Sequence, residues 1–255
     1  MPEKEDKSLE DATLFMSEYI ATLMGSGVHT SRVVRNSRRM AESLGLEMQL
    51  SVFHRTVILN MEKGCYSSSK IVEVPTLPIN FRYNSELSGL SWEAFDRRLP
   101  LEEIRSKYEK IVSAAPLNHN IVMLMAASAN ASFCRLFSGD WLSTLIVFIA
   151  AIVGFRVRRI LTRRHTDFHL TILSSAFLVS LIASSSLLFN TTADIAITTS
   201  VLYLIPGVPL INGVIDIVEG YILCGFARLT KAMLIIFCIA IGLSLTLWIV
   251  KNGLI

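Results

Sequence analysis

A carboxylate and an amide that follow a proline-rich interruption late in the chain are the side chains best placed to do chemistry. Asn212 and Asp216 stand four positions apart, so both would lie on one face of a helix. Just before them, Pro206 and Gly207 predict a kinked or broken helix, because proline has no N–H and clashes with the preceding turn. A carboxylate one turn from an amide could bind a cation, an amino group or a proton.

The interruption lies in an apolar stretch. In hydrocarbon, a broken helix leaves backbone polar groups free, and these are tolerated only where they are buried in protein or line a water-filled cavity. Interrupted membrane helices form the solute and ion sites of many secondary transporters. One interpretation is therefore a transport site, with the backbone of Pro206 and Gly207 open to it. The other is an ordinary kinked helix whose Asp216 is solvated.

The composition divides the chain into a polar and an apolar part. Up to Pro116 there are 15 basic and 16 acidic residues, and after it there are 9 basic and 5 acidic residues. Of the whole sequence 52% is hydrophobic, and the mean hydropathy is +0.51. We predict a membrane protein, mainly α, with about five transmembrane helices preceded by a small cytoplasmic α/β domain. The predicted domains are 1–115 and 116–255. The basic excess lies between apolar segments, which argues against binding to nucleic acid.

The polar part predicts a domain with the element order α, α, β, β, α, α. Thr30 is expected to cap the second helix, and Gly45 to end it. No catalytic constellation or cofactor motif stands out, so no enzyme is expected, and the four cysteines form no CxxC pair. His165, Asp167 and His169 have spacing that could ligate a metal, but a solvated loop is the favoured interpretation. The later predicted elements are strands 48–59 and 71–74, either an edge strand or a loop at 79–83, and helices 85–95 and 101–113.

The apolar part contains five segments that reach or approach the roughly 20 residues needed to cross a membrane as a helix. The second is short, and the fourth contains the break at Pro206. The predicted spans are 120–137, 141–160, 168–189, 195–211 and 227–250.

A cluster of arginines between the second and third spans sets the predicted orientation. By the positive-inside rule this loop is cytoplasmic. Counting back two spans also places residues 1–115 in the cytoplasm, in agreement with the lack of a signal-peptide pattern at residues 1–20. A multi-pass protein of the cytoplasmic (inner) membrane follows. The cluster comprises Arg156, Arg158, Arg159, Arg163 and Arg164.

Three further polar residues lie in or beside the first span. Asn130 falls near its middle, where an amide should face a partner helix or a cavity. Arg135 and Asp140 flank the turn to the second span. They could form a salt-bridged hairpin at the outer surface, or Asp140 could take part in a substrate pathway.

Three motifs of the sequence belong together. They are Gly27–Val33 leading to Met40–Gly45, then Leu136–Trp141 followed by Gly154, Phe155 and the arginine cluster, and finally Leu204–Gly207 through Asn212 and Asp216. In combination they resemble the threonine/serine exporter family in its shorter, split form. Pro209 departs from the pattern expected of the third motif.

The resemblance implies a function and a set of partners. Family members export threonine and serine, and some split pairs are associated with succinate export. The split form implies a second small membrane subunit, beside a small polar metabolite, protons and the lipid bilayer, with no cofactor. A higher oligomer is compatible with this arrangement. The alternative is a membrane-anchored cytoplasmic sensor or scaffold, which would need no polar residues inside its spans.

These arguments give two groups of candidate residues and predict no metal ligands. The substrate or proton pathway comprises Asn130, Asp140, Pro206, Gly207, Asn212 and Asp216. The residues assigned to structure and topology are Arg135, Arg156, Arg158 and Arg159.

Overall fold

The computed structural model describes residues 2–115 and 117–253, which are mainly helical with one small sheet. Pro116, at the predicted domain boundary, lies outside these ranges. The first elements are α1 Pro2–Gly25, α2 Thr30–Ser43, β1 Glu47–Val52, β2 Thr56–Lys63, β3 Tyr66–Glu73, α3 Phe81–Arg97 and α4 Leu101–Ser113. The later helices are α5 His119–Leu136, α6 Trp141–Arg163, α7 Phe168–Ala183, α8 Ala193–Ser200, α9 Gly207–Val218 and α10 Ile222–Gly253.

The chain forms two compact units. The first contains the chain up to Ala115 together with Val208–Thr230. The second contains the rest of the described chain, through Gly207 and from Lys231 onward. Most of α9 and the start of α10 therefore belong to the first unit, although both lie within the predicted transmembrane domain 116–255.

Helix α1 provides the centre of the first unit. Its Phe15 and Tyr19 are fully buried, and so are Leu59 and Met61 of strand β2. The sheet is antiparallel in the order β1-β2-β3, and the burial of alternate residues along β2 shows which face packs on the core. Tyr108 of α4 closes the core with an edge-on contact to the Phe15 ring, at a centroid separation of 5.6 Å.

The predicted strands differ from the observed ones in three places. The strand expected at 71–74 begins earlier, since β3 is Tyr66–Glu73. The expected single strand 48–59 is two strands, β1 and β2, which pair with Val52 opposite Val57 around a short turn. The expected edge strand at 79–83 is wrong, because Asn80 caps helix α3 by accepting the backbone N–H groups of the two residues at positions 82 and 83. A capped helix start offers those N–H groups a partner that an edge strand would lack.

The second unit packs its helices through small residues. Small side chains let helix backbones approach closely, as in many membrane proteins. The buried small residues include Ala127 and Ala131 of α5, Ala150 and Gly154 of α6, Ala176 of α7 and Ala196 of α8.

Two helical stretches are long and apolar enough to cross a membrane, Phe168–Phe189 and Ile222–Asn252. A third span results if Ala193–Leu204 and Gly207–Val218 form one broken span. Helices α5 and α6 occupy the first two predicted spans but do not meet the same test of length and apolarity. The structure therefore supports two or three spans, and the count of five stays a prediction.

The predicted interruption at Pro206 is present. Ile205, just before it, is extended (φ −62°, ψ 127°), as expected for a residue that precedes proline. Helix α9 then begins at Gly207, which places Pro209 in its first turn. A proline is tolerated there, because an N–H in the first turn would have no partner within the helix. The second proline of the motif is thereby explained.

Candidate functional site

The carboxylate of Asp216 is completely buried in the first unit, at the start of helix α2. Its Oδ1 accepts the backbone N–H of Thr30 at 2.7 Å, and its Oδ2 accepts the Thr30 hydroxyl at 3.0 Å. The first N–H groups of a helix lack partners within it, and His29 at the N-cap position makes no side-chain capping bond. Asp216 thus supplies the cap of α2 from 186 positions away in the sequence. Thr30, expected to be the cap, is the first helical residue and is itself capped.

Arg228, near the start of α10, balances the charge of Asp216. Its Nε lies 3.4 Å from Oδ2 of the carboxylate, and its Nη2 donates to the Val28 carbonyl at 2.9 Å. The arginine side chain is only 11% exposed. Because a buried charge is costly unless it is paired and hydrogen-bonded, each of these two ions depends on the other.

Asn212 binds the same loop one helical turn earlier. Its Nδ2 donates to the carbonyl oxygen of Gly27 at 2.7 Å. Asn212 and Asp216 therefore share one face of α9, as their spacing predicts, and both hold the connection between α1 and α2. We call Asn212, Asp216, Arg228 and the loop Gly27–Thr30 the Asp216 cluster.

Two glycines bring α9 and α10 close enough to serve this cluster together. A Cβ on Gly225 would lie 2.6 Å from the carbonyl oxygen of Gly213. A Cβ on Gly213 would lie 2.8 Å from the side chain of Leu229. A larger residue at either position would force the two helices or the contacted side chain to shift.

His29 adds a titratable group beside the cluster. Burial is the main reason that its pKa is lowered from the usual value, and the positive charges of Arg32 and Arg228 act in the same direction. The negative charges of the Asp216 and Glu219 carboxylates act in the opposite direction and raise the pKa of His29. The neutral imidazole is thus favoured in the folded protein.

Two other predicted site residues hold the ends of α8 in the second unit. Asn130 Nδ2 donates to the carbonyl oxygen of Ser200, the last residue of α8, at 2.9 Å. At the other end, Asp140 Oδ2 accepts the N–H of Thr192 at 3.0 Å, and the Thr192 hydroxyl accepts the N–H of Asp140 at 3.0 Å. The short helix is therefore fixed by polar groups at both ends.

Asp140 also caps α6, because its Oδ1 accepts the N–H of Ser143 at 2.6 Å. These backbone hydrogen bonds hold the pKa of Asp140 below its ordinary value. Arg135 does not take part in an ion pair within the described residues. It donates to the Gly139 carbonyl at 2.6 Å and lies over the ring of Trp141, 4.5 Å from its centroid. The expected Arg135–Asp140 pair is replaced by a capped turn.

The remaining candidates show no shared site. Arg156, Arg158 and Arg159 lie on the last turns of α6, and none forms an ion pair with a carboxylate among the residues that the structure describes. Asp167 caps α7 and lies 3.6 Å from Nδ1 of His169. In the described ranges, no three His, Cys, Asp or Glu side chains are grouped to hold a metal ion.

Sequence reasoning missed the partners of the candidate residues. Thr30 and Arg228 complete the Asp216 cluster, and Thr192 and Ser200 receive the contacts of Asp140 and Asn130. One signal was available for Arg228, since a lone arginine and a lone aspartate at adjoining ends of two apolar helices favour an ion pair.

Comparison with known proteins decides the family. A family model, ThrE, with the description "Putative threonine/serine exporter", matches residues 15–250. The chain belongs to the threonine/serine exporter family. Two curated relatives are each 28% identical over 236 residues, which cover 89% of this chain and 90% of the relative. Both are named "Probable succinate transporter subunit YjjP", one from Klebsiella aerogenes and one from Escherichia coli strain K12. No solved structure matches the chain.

The resemblance noted in the sequence is thereby confirmed. The family match extends from α1 into α10 and contains the whole Asp216 cluster, together with Asn130 and Asp140. Membership in a threonine/serine exporter family, with apolar helices long enough to span, indicates a membrane transport protein and favours transport over enzymatic activity.

Proposed function

We propose that this protein is one subunit of a secondary-active exporter of a small polar metabolite. The substrate is a threonine- or serine-type amino acid, or a dicarboxylate such as succinate. Family membership supports export, and the name of the two relatives supports both a dicarboxylate and a subunit role. The second subunit is a small integral-membrane protein of the same family, and the working complex is open to higher oligomers.

One observation carries the proposal: polar side chains, of which Asn130 and Asp216 are buried, hold both halves of the interrupted span. Asn130 and Asp140 bind the ends of α8, and Asn212 and Asp216 hold α9 in the first unit. The break at Pro206 and Gly207 lies between the two halves. A lipid-facing anchor needs neither the break nor these contacts, whereas a transporter uses interrupted helices to hold solutes and ions. These six residues are the proposed pathway residues.

Asp216 is the proposed proton-coupling group. As an ion, it pairs with Arg228 and accepts two hydrogen bonds from Thr30. A proton on either carboxylate oxygen would neutralise Asp216, leave Arg228 without its counterion and weaken both hydrogen bonds from Thr30, which would loosen α9 from the loop that it holds. A transported amino group could act on the same carboxylate in place of a proton.

The proposed topology has five spans with residues 1–115 in the cytoplasm and 116–255 as the transmembrane domain of the inner membrane. The arginines of α6 support a cytoplasmic loop after the second span. In this topology the connection between α9 and α10 is on the cytoplasmic side, so Asn212 and Asp216 are proposed to lie near the cytoplasmic mouth of the pathway.

The test is efflux from preloaded cells that lack endogenous exporters for the two substrates. Cells would carry this protein alone, a candidate second subunit alone, or both, and the loss of labelled threonine and of labelled succinate would be followed. We expect efflux of one substrate only when both proteins are present at matched abundance. Absence of efflux in all arms, with both proteins in the membrane, favours the competing function of an anchored sensor or scaffold.

A further inference from the structure

The hydroxyl of Tyr203 is buried in the second unit without a hydrogen-bond partner among the described residues. Tyr203 lies in the 3-10 turn Leu202–Leu204, just before the break at Pro206. Buried polar atoms are hydrogen-bonded in the great majority of cases, so an unpaired hydroxyl beside an interrupted span calls for an explanation such as a ligand or a water molecule.

Helix α6 is shaped to receive this hydroxyl. The Tyr203 ring stacks on Phe155 with the ring centroids 4.8 Å apart. A Cβ built on Gly154 would collide with the tyrosine hydroxyl oxygen and with the side chain of Val179 on α7. Only glycine at position 154 leaves the hydroxyl its place between α6 and α7.

Arg158 lies one turn further along α6, on the same side as Gly154. It is half-buried, and its guanidinium forms no ion pair or hydrogen bond within residues 2–115 and 117–253. In the second unit, the carboxylates of Asp140 and Asp167 are already engaged in capping helices, and Asp194 is exposed in the first turn of α8.

We propose that the Tyr203 hydroxyl and the Arg158 guanidinium bind a carboxylate group of the exported metabolite. The guanidinium can only donate hydrogen bonds and the tyrosine hydroxyl can donate one, so an acceptor serves both groups, and the planar guanidinium matches a carboxylate with two parallel N–H bonds. A carboxylate is common to α-amino acids and to dicarboxylates. The inference rests on the proposed export function and specifies the substrate chemistry recognised beside the broken span.

Direct binding to the purified full-length protein in detergent tests the assignment without any need for transport. The melting temperature would be followed during titration with L-threonine or succinate, and with L-threoninamide or succinamide, which lack the carboxylate, at equal ionic strength. We expect at least one of the two acids to raise the melting temperature, and neither amide to do so. The acid that gives the larger shift identifies the source of the carboxylate.

Variants separate the two donors from general effects. Tyr203→Phe removes only the hydroxyl and should weaken acid binding roughly tenfold, the effect of one hydrogen bond to a charged group. Because that hydroxyl has no hydrogen-bond partner among the described residues, the unliganded melting temperature should not fall. Arg158→Gln should abolish the shift, whereas Arg159→Gln, which removes the same charge one position along α6, should preserve it.

The outcomes separate the subsite from the export function. Equal shifts with acids and amides, no shift with any of the four compounds, or unchanged acid affinity in Tyr203→Phe would overturn the subsite. A clear loss of unliganded stability in Tyr203→Phe would also overturn it, because the hydroxyl would then have a structural partner. Acid-selective binding that depends on Tyr203 and Arg158 supports the subsite even if no arm of the efflux experiment shows export.

Discussion

Oδ1 of Asp216 lies 2.7 Å from the backbone nitrogen of Thr30, so a carboxylate on α9 occupies the N-terminal end of α2. The N-terminus of a helix carries a partial positive charge, and α2 has no acidic residue of its own in its first turn. Asp216 is therefore stabilised as an anion by a helix terminus and by Arg228 at once. Within the first unit, residues 27–30 therefore bind directly to side chains of α9 and of the start of α10.

The ion pair predicts strong coupling between its two members. Asp216→Asn and Arg228→Gln each leave a buried charge without its counterion, which costs about 3–5 kcal/mol of the free energy of unfolding. In the double variant neither charge remains, so its loss should be smaller than the sum of the two single losses by about 1–3 kcal/mol. Reversible denaturation of the full chain in detergent measures the cycle.

The control for this cycle is Asp194→Asn, an exposed acid in the first turn of α8. When Asp194→Asn is combined with Arg228→Gln, the two losses of unfolding free energy should simply add. Additive losses for the Asp216 and Arg228 pair as well would show that the 3.4 Å approach contributes nothing to stability.

Local chemistry made some of the fold predictable. Pro100 with Glu102 and Glu103 predicted a helix at 101–113, and α4 has those bounds, because a proline before the first turn and acids within it both favour a helix start. The break at Pro206 was predictable for a similar reason, since the ring of proline restricts its own residue and the one before it.

Long-range partners explain most of what sequence reasoning missed. The turn between β1 and β2 contains Phe53, His54 and Arg55, with no Gly, Pro, Asn or Asp to mark it, so two strands were predicted as one. The spacing of Asn212 and Asp216 correctly placed both on one face. It could not show that this face meets residues 27–30, because those contacts depend on packing between parts of the chain about 185 positions apart.

His29 should make the stability of the first unit depend on pH. Its pKa is lower in the folded protein than the unfolded value of about 6.5, so the unfolded chain binds more protons as the pH falls. The stability that neutral His29 contributes is fully present above about pH 6.5. It is lost as the pH falls through the pKa that His29 has in the folded protein. The denaturation midpoint of the wild type should therefore decrease between about pH 7 and pH 5.

His29→Gln should flatten this part of the pH profile, because glutamine does not titrate. His119→Gln provides the matched control, since His119 is an exposed residue at the start of α5. A profile that keeps its slope in His29→Gln would assign the pH dependence to another group.

The contacts of Asp140 predict an order of stability among its variants. Asp140→Asn keeps an oxygen that can accept the N–H of Ser143, whereas Asp140→Ala leaves that N–H and the N–H of Thr192 without their acceptor. The melting temperature should fall slightly in the first variant and clearly in the second. Because the pKa of Asp140 is held low by these bonds, the wild type should keep this contribution at neutral pH and lose it only in acid. Equal melting temperatures for both variants would contradict the capping role.

The cytoplasmic placement of residues 1–115 can be tested with a native thiol. Cys65, in the turn between β2 and β3, is exposed, whereas Cys134 and Cys224 are buried and Cys238 is partly buried. A membrane-impermeant thiol reagent should label Cys65 only after the cells are permeabilised. Asp194→Cys, on the opposite side in the proposed topology, should react in intact cells. Labelling of Cys65 in intact cells at the rate seen for Asp194→Cys would reverse the orientation.

The proposed export role of the Asp216 cluster can be tested by comparing the transport rate and its pH dependence in two variants. Asp216→Asn removes the charge but not the shape of the side chain, and Asn212→Ala removes the bond to Gly27 without changing any charge. If Asp216 carries the coupled proton, Asp216→Asn should abolish export by the two-subunit complex and remove its dependence on pH. Asn212→Ala should lower the rate and keep the pH dependence. Rates are compared only at equal membrane abundance, with Asp194→Asn expected to transport like the wild type. Export by Asp216→Asn at the wild-type rate and with the wild-type pH profile would leave Asp216 as the cap of α2 and the counterion of Arg228, with no part in coupling.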